Sequence, residues 1–352
     1  MRGFEYLRPA SLAEAVALVS EPGVAWLAGG TNLLDLMKTG AAAPSQLVDI
    51  TRLPGLDRIE TLPGGAVRVG AMVRNADLAR DTDFAAAFPA VAEALLSGAS
   101  PQLRNAATVG GNLMQRTRCA YFSDPHSACN RRAPGSGCDA LHGENRGHAV
   151  LGWSDSCIAT HPSDFAVPLV APGALVEIEG PAGRREVPLA EFHLLPGDTP
   201  ERETVLAPGE LIAALLLPAE AARFAAHSRY IKLRERSSFA FALVSAAAAL
   251  DIADGRIVAA RLALGGVAAK PWRSPAAEAL LTGTTPEAAS FEEAAEVALQ
   301  GARPSGDNDH KIPLAKRILM RALTLAAAGT PARLPALPAS VFAAEPGVAI
   351  HA

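Results

Sequence analysis

Apolar positions along the chain fall into short runs and amphipathic windows, separated by Gly- and Pro-bearing turns. Ser11-Leu12-Ala13-Glu14 has the form of a capping box. It predicts a helix with Leu12, Ala15, Val16 and Leu18 on its apolar face, stopping at Pro22-Gly23. Val24-Ala25-Trp26-Leu27 reads as a buried strand and runs directly into Ala28-Gly29-Gly30-Thr31-Asn32. A helical pattern over 33–38 is closed by Gly40. Strands are expected at 47–50 and 66–70, and helices at 75–80 and 89–97, the second with proline at its first position. After Asp164 come an apolar run at 165–170 and a hairpin-like stretch at 174–187. Residues 211–217 and the Ala-rich run from Phe239 fit strand or helix equally, because periodicity does not separate the two in a continuous apolar run. Apolar runs at 230–234 and 257–264, helices at 274–281 and 291–299, and a long helix at 313–328 complete the pattern. The change of character at 218–227 marks a domain boundary, and the Pro/Ala-rich segment from Pro331 reads as an extended tail.

Composition narrows the function classes. With 352 residues, 49% of them hydrophobic, the chain can bury a large core in two or three domains. A net charge of −4 offers no basic surface for nucleic acid. No run approaches the roughly 18 apolar residues of a membrane span. The first nine residues lack the apolar segment of a secretory leader, so the expected location is the cytoplasm, or the periplasm as passenger of an exported partner.

Two glycine motifs carry the first chemistry. Strand, Gly-Gly-Thr-Asn loop and helix form a phosphate cradle: glycines admit an anion close to the backbone, and free N–H groups at the helix start face it. Thr108-Val109-Gly110-Gly111-Asn112 is read as a second loop of the same kind, which favours a ligand with more than one phosphate. A pair of tight turns is the plainer alternative for each.

All four cysteines of the chain, Cys119, Cys129, Cys138 and Cys157, fall between the second motif and His161-Pro162-Ser163-Asp164. Their Cys-x9-Cys-x8-Cys-x18-Cys spacing is neither a zinc knuckle nor a bacterial ferredoxin run. An iron–sulfur cluster, an atypical zinc site and unrelated thiols remain open by spacing, and confinement to one loop argues against the last. The loop is rich in turn formers and poor in large apolar residues, so it needs a staple, which a metal centre supplies. Arg116, Arg118, Arg131 and Arg132 lie close to Cys119 and Cys129 in sequence, where cations would favour thiolates and raise a reduction potential.

With these residues in view, the chain resembles the FAD-binding medium subunits of the xanthine dehydrogenase / molybdenum hydroxylase family. Ala28-Gly29-Gly30-Thr31-Asn32-Leu33 and Ala107-Thr108-Val109-Gly110-Gly111-Asn112-Leu113 match its two FAD motifs. Pro162-Ser163-Asp164, Tyr230-Ile231-Lys232-Leu233-Arg234 and Leu262-Ala263-Leu264-Gly265-Gly266-Val267 extend the match over nearly the whole chain. The cysteine insertion resembles one branch, the FAD subunit of a periplasmic aldehyde oxidoreductase with an extra [4Fe-4S] cluster. The resemblance implies an α+β fold: a two-subdomain, PCMH-like FAD-binding domain over 1–222, with the insertion at about 114–160, then a smaller α+β C-terminal domain of the CO dehydrogenase flavoprotein type over 223–330, and a tail at 331–352. It implies a heterotrimer with a molybdenum-cofactor large subunit and a small subunit carrying two [2Fe-2S] clusters. Leu27, Ala28, Gly29, Gly30, Thr31, Asn32, Leu33 and Leu34 would wrap the FAD pyrophosphate. Thr108, Gly110, Gly111 and Asn112 would hold further cofactor oxygens, Asp164 a cofactor hydroxyl, Ile212 the cofactor's flank and Lys232 the flavin's neighbourhood. The four cysteines would hold the cluster, adjacent to FAD. The alternatives are a stand-alone flavin oxidase with structural zinc, and a metal-binding structural partner without flavin.

Overall fold

The computed structural model describes residues 1–19 and 23–332. Pro22 and most of the expected tail lie outside the described residues. Three sheets organise the chain.

The first is parallel, ordered β1-β3-β2, from β1 (Glu5–Leu7), β2 (Val24–Leu27) and β3 (Gln46–Asp49). Parallel neighbours need crossovers, and the helices Leu12–Leu18 and Leu33–Thr39 supply them. Ser11 Oγ accepts the Glu14 N–H at 3.2 Å, while the Glu14 carboxylate accepts the N–H of Ala10, one residue before the N-cap. Gly40 ends the second helix in the left-handed region at φ 85°.

The second sheet is antiparallel: β4 (Ile59–Thr61), β5 (Val67–Gly70), β6 (Leu175–Gly180), β7 (Gly183–Pro188) and β8 (Leu211–Leu217), ordered β4-β5-β8-β6-β7. The ambiguous run 211–217 is thus the central strand, and burial of both its faces is why it shows no alternation. Helices Asn75–Arg80, Thr82–Ala87 and Pro89–Ser97 build the core with it, around Leu78, Phe84, Val91 and Phe165. The run 165–170 is a short helix, Ala166–Val170.

The third sheet, β12-β11-β10-β9, comprises β9 (Ser228–Leu233), β10 (Val244–Ala253), β11 (Arg256–Gly265) and β12 (Trp272–Arg273). Helices Pro275–Leu281, Ala288–Ala298 and Lys311–Ala327 cover one face. The Ala-rich run is β10, a strand. Ala246, Ala248 and Leu250 pack into the helix-covered core, while Ala247, with Tyr230 and Ala263, packs on Ala90, Ala94 and Val167 of the preceding domain. Alanine there lets two domains approach one strand from both sides, and this tertiary demand outweighs its helix propensity.

The cysteine insertion has little regular structure, but its return limb is not free. Val150 and Leu151 belong to the third sheet's core, and both of their N–H groups reach the Val267 carbonyl, at 2.9 and 3.0 Å. Among the described residues no helix is long and apolar enough to cross a membrane.

Candidate functional site

All three sheet units and the insertion contribute to one cleft of about 870 Å³, within the size range of cofactor sites. Thr31 and Asn32 come from the first unit, Asn75, Gly111 and Asn112 from the second, Lys232 and Phe241 from the third, and Cys119 and His148 from the insertion.

The Gly-Gly-Thr-Asn loop joins β2 to the helix Leu33–Thr39. Gly30 has φ +70°, and a Cβ on Gly29 would stand 2.0 Å from the Ala106 carbonyl oxygen, so both positions require glycine. Among the described hydrogen bonds, the N–H groups of Gly29, Gly30, Thr31 and Asn32 donate in none. Four consecutive free amides make a receptor for phosphate oxygens. Asn32 Oδ1 accepts the Arg116 N–H at 2.9 Å, while its Nδ2 is buried without an acceptor. That orphan donor fits a bound cofactor oxygen.

The second motif differs from the expectation. It is a one-turn helix, Val109–Leu113, capped by Thr108, whose Oγ1 accepts the Gly111 N–H at 3.2 Å. The Val109 and Gly110 amides donate to Val73 and Ala71, both at 2.9 Å. These donors are spent within the protein, and Gly110 is small because it packs on Ala71. Among the described hydrogen bonds only the first loop keeps its amides free; the second presents Gly111 and the side chain of Asn112 to the cleft. Asn112 Oδ1 accepts from Gln115 Nε2 at 2.6 Å and Ser163 Oγ at 2.7 Å, which orients the amide.

Asp164 and Lys232 form one buried ion pair at 2.7 Å on the cleft wall. Tyr230 donates its hydroxyl to the other Asp164 oxygen at 2.6 Å. Burial, then the Asp164 charge, pushes the Tyr230 phenol well above its usual range, so it stays a donor. A carboxylate accepts more than two hydrogen bonds, so Asp164 can still receive a ligand hydroxyl.

Thr31, Asn32, Gly111, Asn112, Asp164, Lys232 and Cys119 therefore share the cleft. Leu27, Ala28, Gly29, Gly30, Leu33, Leu34, Thr108 and Gly110 are not among the residues lining it. Ile212 is set apart from these by its place in the fold. It lies in β8 opposite Ile178, inside the sheet's core, and does not line the cleft. Its Pro-Gly-Glu-Leu context marks where a strand begins, not which face a residue takes. Asn75, whose Oδ1 is buried without a donor, and His148 line the cleft too. Neither carries a sequence signal, since each is brought there only by the packing of distant segments.

The four cysteines are free thiols, Cys129 and Cys157 buried and Cys119 and Cys138 half-buried. Cys129 and Cys138 face each other in an isolated antiparallel bridge, and Cys119 packs with Cys129 around Phe122 and Leu36. Burial pushes the Cys119 thiol up to about 11; Tyr121 and Phe122 N–H groups at its sulfur pull back, and the nearby Cys129 and Cys157 push up. Burial likewise raises Cys138, with Cys157 adding to it, while N–H groups of Ala140, Leu141 and Ile158 oppose. The Ala159 N–H points to Cys157 Sγ at 3.5 Å. Backbone donors aimed at three sulfurs suit thiolate ligands. Among the described residues, no three His, Cys, Asp or Glu side chains are grouped to hold a metal ion. His161 is half-buried, its ring tilted against that of His193 with centroids 4.2 Å apart. His148 Nε2 lies 3.2 Å from Cys119 Sγ.

The chain is similar to known flavoprotein subunits over nearly its whole length. Residues 2–220 match the family model described as the FAD binding domain in molybdopterin dehydrogenase. Residues 229–326 match the CO dehydrogenase flavoprotein C-terminal domain. The chain is 47% identical to the aldehyde oxidoreductase FAD-binding subunit PaoB of Escherichia coli strain K12, over 93% of this chain and 99% of that one. It is 30% identical to the carbon monoxide dehydrogenase medium chain of Hydrogenophaga pseudoflava, over 92% and 96% respectively. Its structure matches a chain of reconstituted CO dehydrogenase from Oligotropha carboxidovorans with a TM-score of 0.74 at 27% identity, covering 94% of this chain and 100% of that one.

Proposed function

The chain belongs to the FAD-binding medium subunits of the molybdenum hydroxylase family, and from that premise we propose that it is the electron-transfer subunit of an aldehyde-oxidising complex, carrying FAD and a [4Fe-4S] cluster. Its partners in this reading are a molybdenum-cofactor subunit, which oxidises the substrate, and a [2Fe-2S] subunit, from which electrons arrive. FAD, when bound, supplies the exchange between one- and two-electron carriers. The protein's part is position and electrostatics. The amides of residues 29–32 receive the pyrophosphate, the Asn112 side chain and Asp164 hold cofactor oxygens, and Lys232 brings a positive charge fixed by Asp164.

The observation that carries this reading is the sharing of one cleft by Thr31 and Asn32 of the free-amide loop and Cys119. The relatives' names speak of FAD and not of iron, so the cluster rests on the cysteines themselves. A [4Fe-4S] core takes one thiolate per iron and holds its sulfurs farther apart than a lone ion does. Four free thiols in one loop, two of them buried, with backbone N–H groups at three of the sulfurs, suit that core better than tetrahedral zinc. An oxidase acting alone would need an acid or base for substrate beside the flavin; in the cleft His148 lies instead 3.2 Å from Cys119 Sγ, and Asp164 is held by Lys232 and Tyr230.

Purified protein is expected to hold about one flavin and about four iron atoms per chain. Gly29→Ala, whose methyl group meets the Ala106 carbonyl, is expected to weaken flavin retention at least about tenfold while leaving iron in place. Undiminished flavin in this variant would remove the loop from the site, and iron-free wild-type protein after anaerobic reconstitution would remove the cluster.

A further inference from the structure

One stretch of the cleft wall carries polar groups that the flavin-holding residues named above leave unused. Asn75 opens the helix Asn75–Arg80 and is only 5% exposed. Its backbone N–H donates to the Ala107 carbonyl at 2.9 Å, which fixes it against the end of the helix Pro101–Ala106. Its side chain lines the cleft, yet Oδ1 is buried and receives no donor. Folding alone does not repay a buried acceptor left empty, whereas a ligand donor would.

Arg104 projects from the helix Pro101–Ala106 into the same cleft and is 9% exposed. Its Nη1 donates to the Gly98 carbonyl at 2.7 Å. Burial and then the Arg80 charge act against its cation, and no carboxylate offsets them. The Gly98 turn draws in two further cations: Lys232 Nζ and Arg234 Nη1 both donate to the Ser97 carbonyl, at 3.3 and 3.1 Å. A Cβ on Gly98 would lie 3.4 Å from Asp164 Oδ2, so the ion pair Asp164–Lys232 stands at this turn as well. Ala99 is held in the left-handed region at φ 50°, a conformation unfavourable for a residue with a side chain. Three cations thus gather beside one carboxylate, next to an empty acceptor. Ala94, Leu95 and Leu103 give the same wall an apolar surface.

We propose that Asn75 and Arg104 hold the pyrimidine edge of the flavin ring, Asn75 Oδ1 accepting its N–H and the Arg104 guanidinium donating to a neighbouring carbonyl oxygen. This rests on the FAD reading above. The edge presents one N–H between two carbonyl oxygens, so its complement is an acceptor accompanied by donors. Asn75 is the acceptor without a partner, and Arg104 is a buried donor without a counter-ion. The apolar side chains between them suit a flat ring. Asp164 and Lys232, assigned to the flavin half in that reading, stand at the same turn, so this wall meets the ring and not the adenine at the other end of the cofactor.

The test compares binding of FAD and of ADP to the full chain freed of flavin, by titration calorimetry, with the unfolding temperature of each ligand-free protein measured beside it. Asn75→Leu is expected to weaken FAD binding about tenfold and to leave ADP binding unchanged. Because the empty acceptor is gone, its ligand-free form is expected to unfold no sooner than wild type. Arg104→Gln is expected to weaken FAD binding in the same way, and Arg104→Lys to recover most of the loss. If Arg104→Gln does not fold, Asn75→Leu decides. Undiminished FAD binding in Asn75→Leu, an equal loss for FAD and ADP, or a lowered unfolding temperature of its ligand-free form, which marks a structural role, overturns this inference alone. Wild-type protein that binds no FAD overturns the flavin reading, and this inference with it.

Discussion

His193 shows how a single side chain ties the site to stability. It is buried, its Nε2 donates to the Leu113 carbonyl at 2.9 Å, and its ring lies tilted against that of His161. Burial lowers its pKa to about 4, with the Leu113 hydrogen bond opposing. His161 is likewise pushed well below its usual range, first by burial and then by His193. The unfolded chain titrates near 6.5, so between about 6.5 and 4 it binds protons that the folded chain refuses. Stability is intact above that window and falls as pH drops through it, by up to about 1.4 kcal/mol per pH unit for each histidine. His193→Phe is expected to flatten the acid limb by about one proton's slope, measured by urea unfolding at pH 7 and pH 5; an unchanged slope would place the titration elsewhere. At this scale the sequence was legible wherever a motif fixed neighbours in the chain, as at Asn32 and Asn112. It was silent on His193 and Asn75, whose environments come from segments far apart.

At the scale of elements, apolar runs and caps sufficed for β2, β3 and the outer helices, while the three-residue strand β1 went unpredicted because it is too short to show a period. The same signals left β8 and β10 open, because both faces of each are covered. The motif at 108–112 looked like a loop because its glycines suggest one, yet Thr108 caps it and Val73 and Ala71 take its amides. Nothing in the insertion's composition announced that its return limb is clamped to the third domain. Asn308 is fully buried, and its Nδ2 reaches the carbonyls of His148 and Ala149 at 3.0 and 3.1 Å. Lys311 Nζ adds bonds to Gly147 and His148, both at 2.8 Å. Asn308→Ala leaves those carbonyls short of a donor and is expected to cost about 1–3 kcal/mol. Limited proteolysis should then cut within 114–160 sooner than elsewhere, and a variant as stable and as resistant as wild type would contradict the clamp.

At the scale of the whole molecule, the cleft exists only because three sheet units meet. The first gives free amides, the second Asn112 and Asp164, the third Lys232, and the insertion between the two halves of the flavin site returns past that same cleft at His148. The order of motifs along the chain made this division of labour legible, since both flavin motifs and Asp164 flank the cysteines. The distance between the two proposed redox centres was not legible, because it depends on how 114–160 folds back. Cys119 lines the cleft wall, with Cys129 beside it. The most direct test is a crystal structure of the reconstituted protein with anomalous data collected at the iron edge. It is expected to show flavin density against residues 29–32, Asn112 and Asp164, and an iron peak among the four cysteines on the Cys119 side of that density. Flavin bound elsewhere, zinc in place of iron, or iron on the side of the domain away from the cleft would contradict the account.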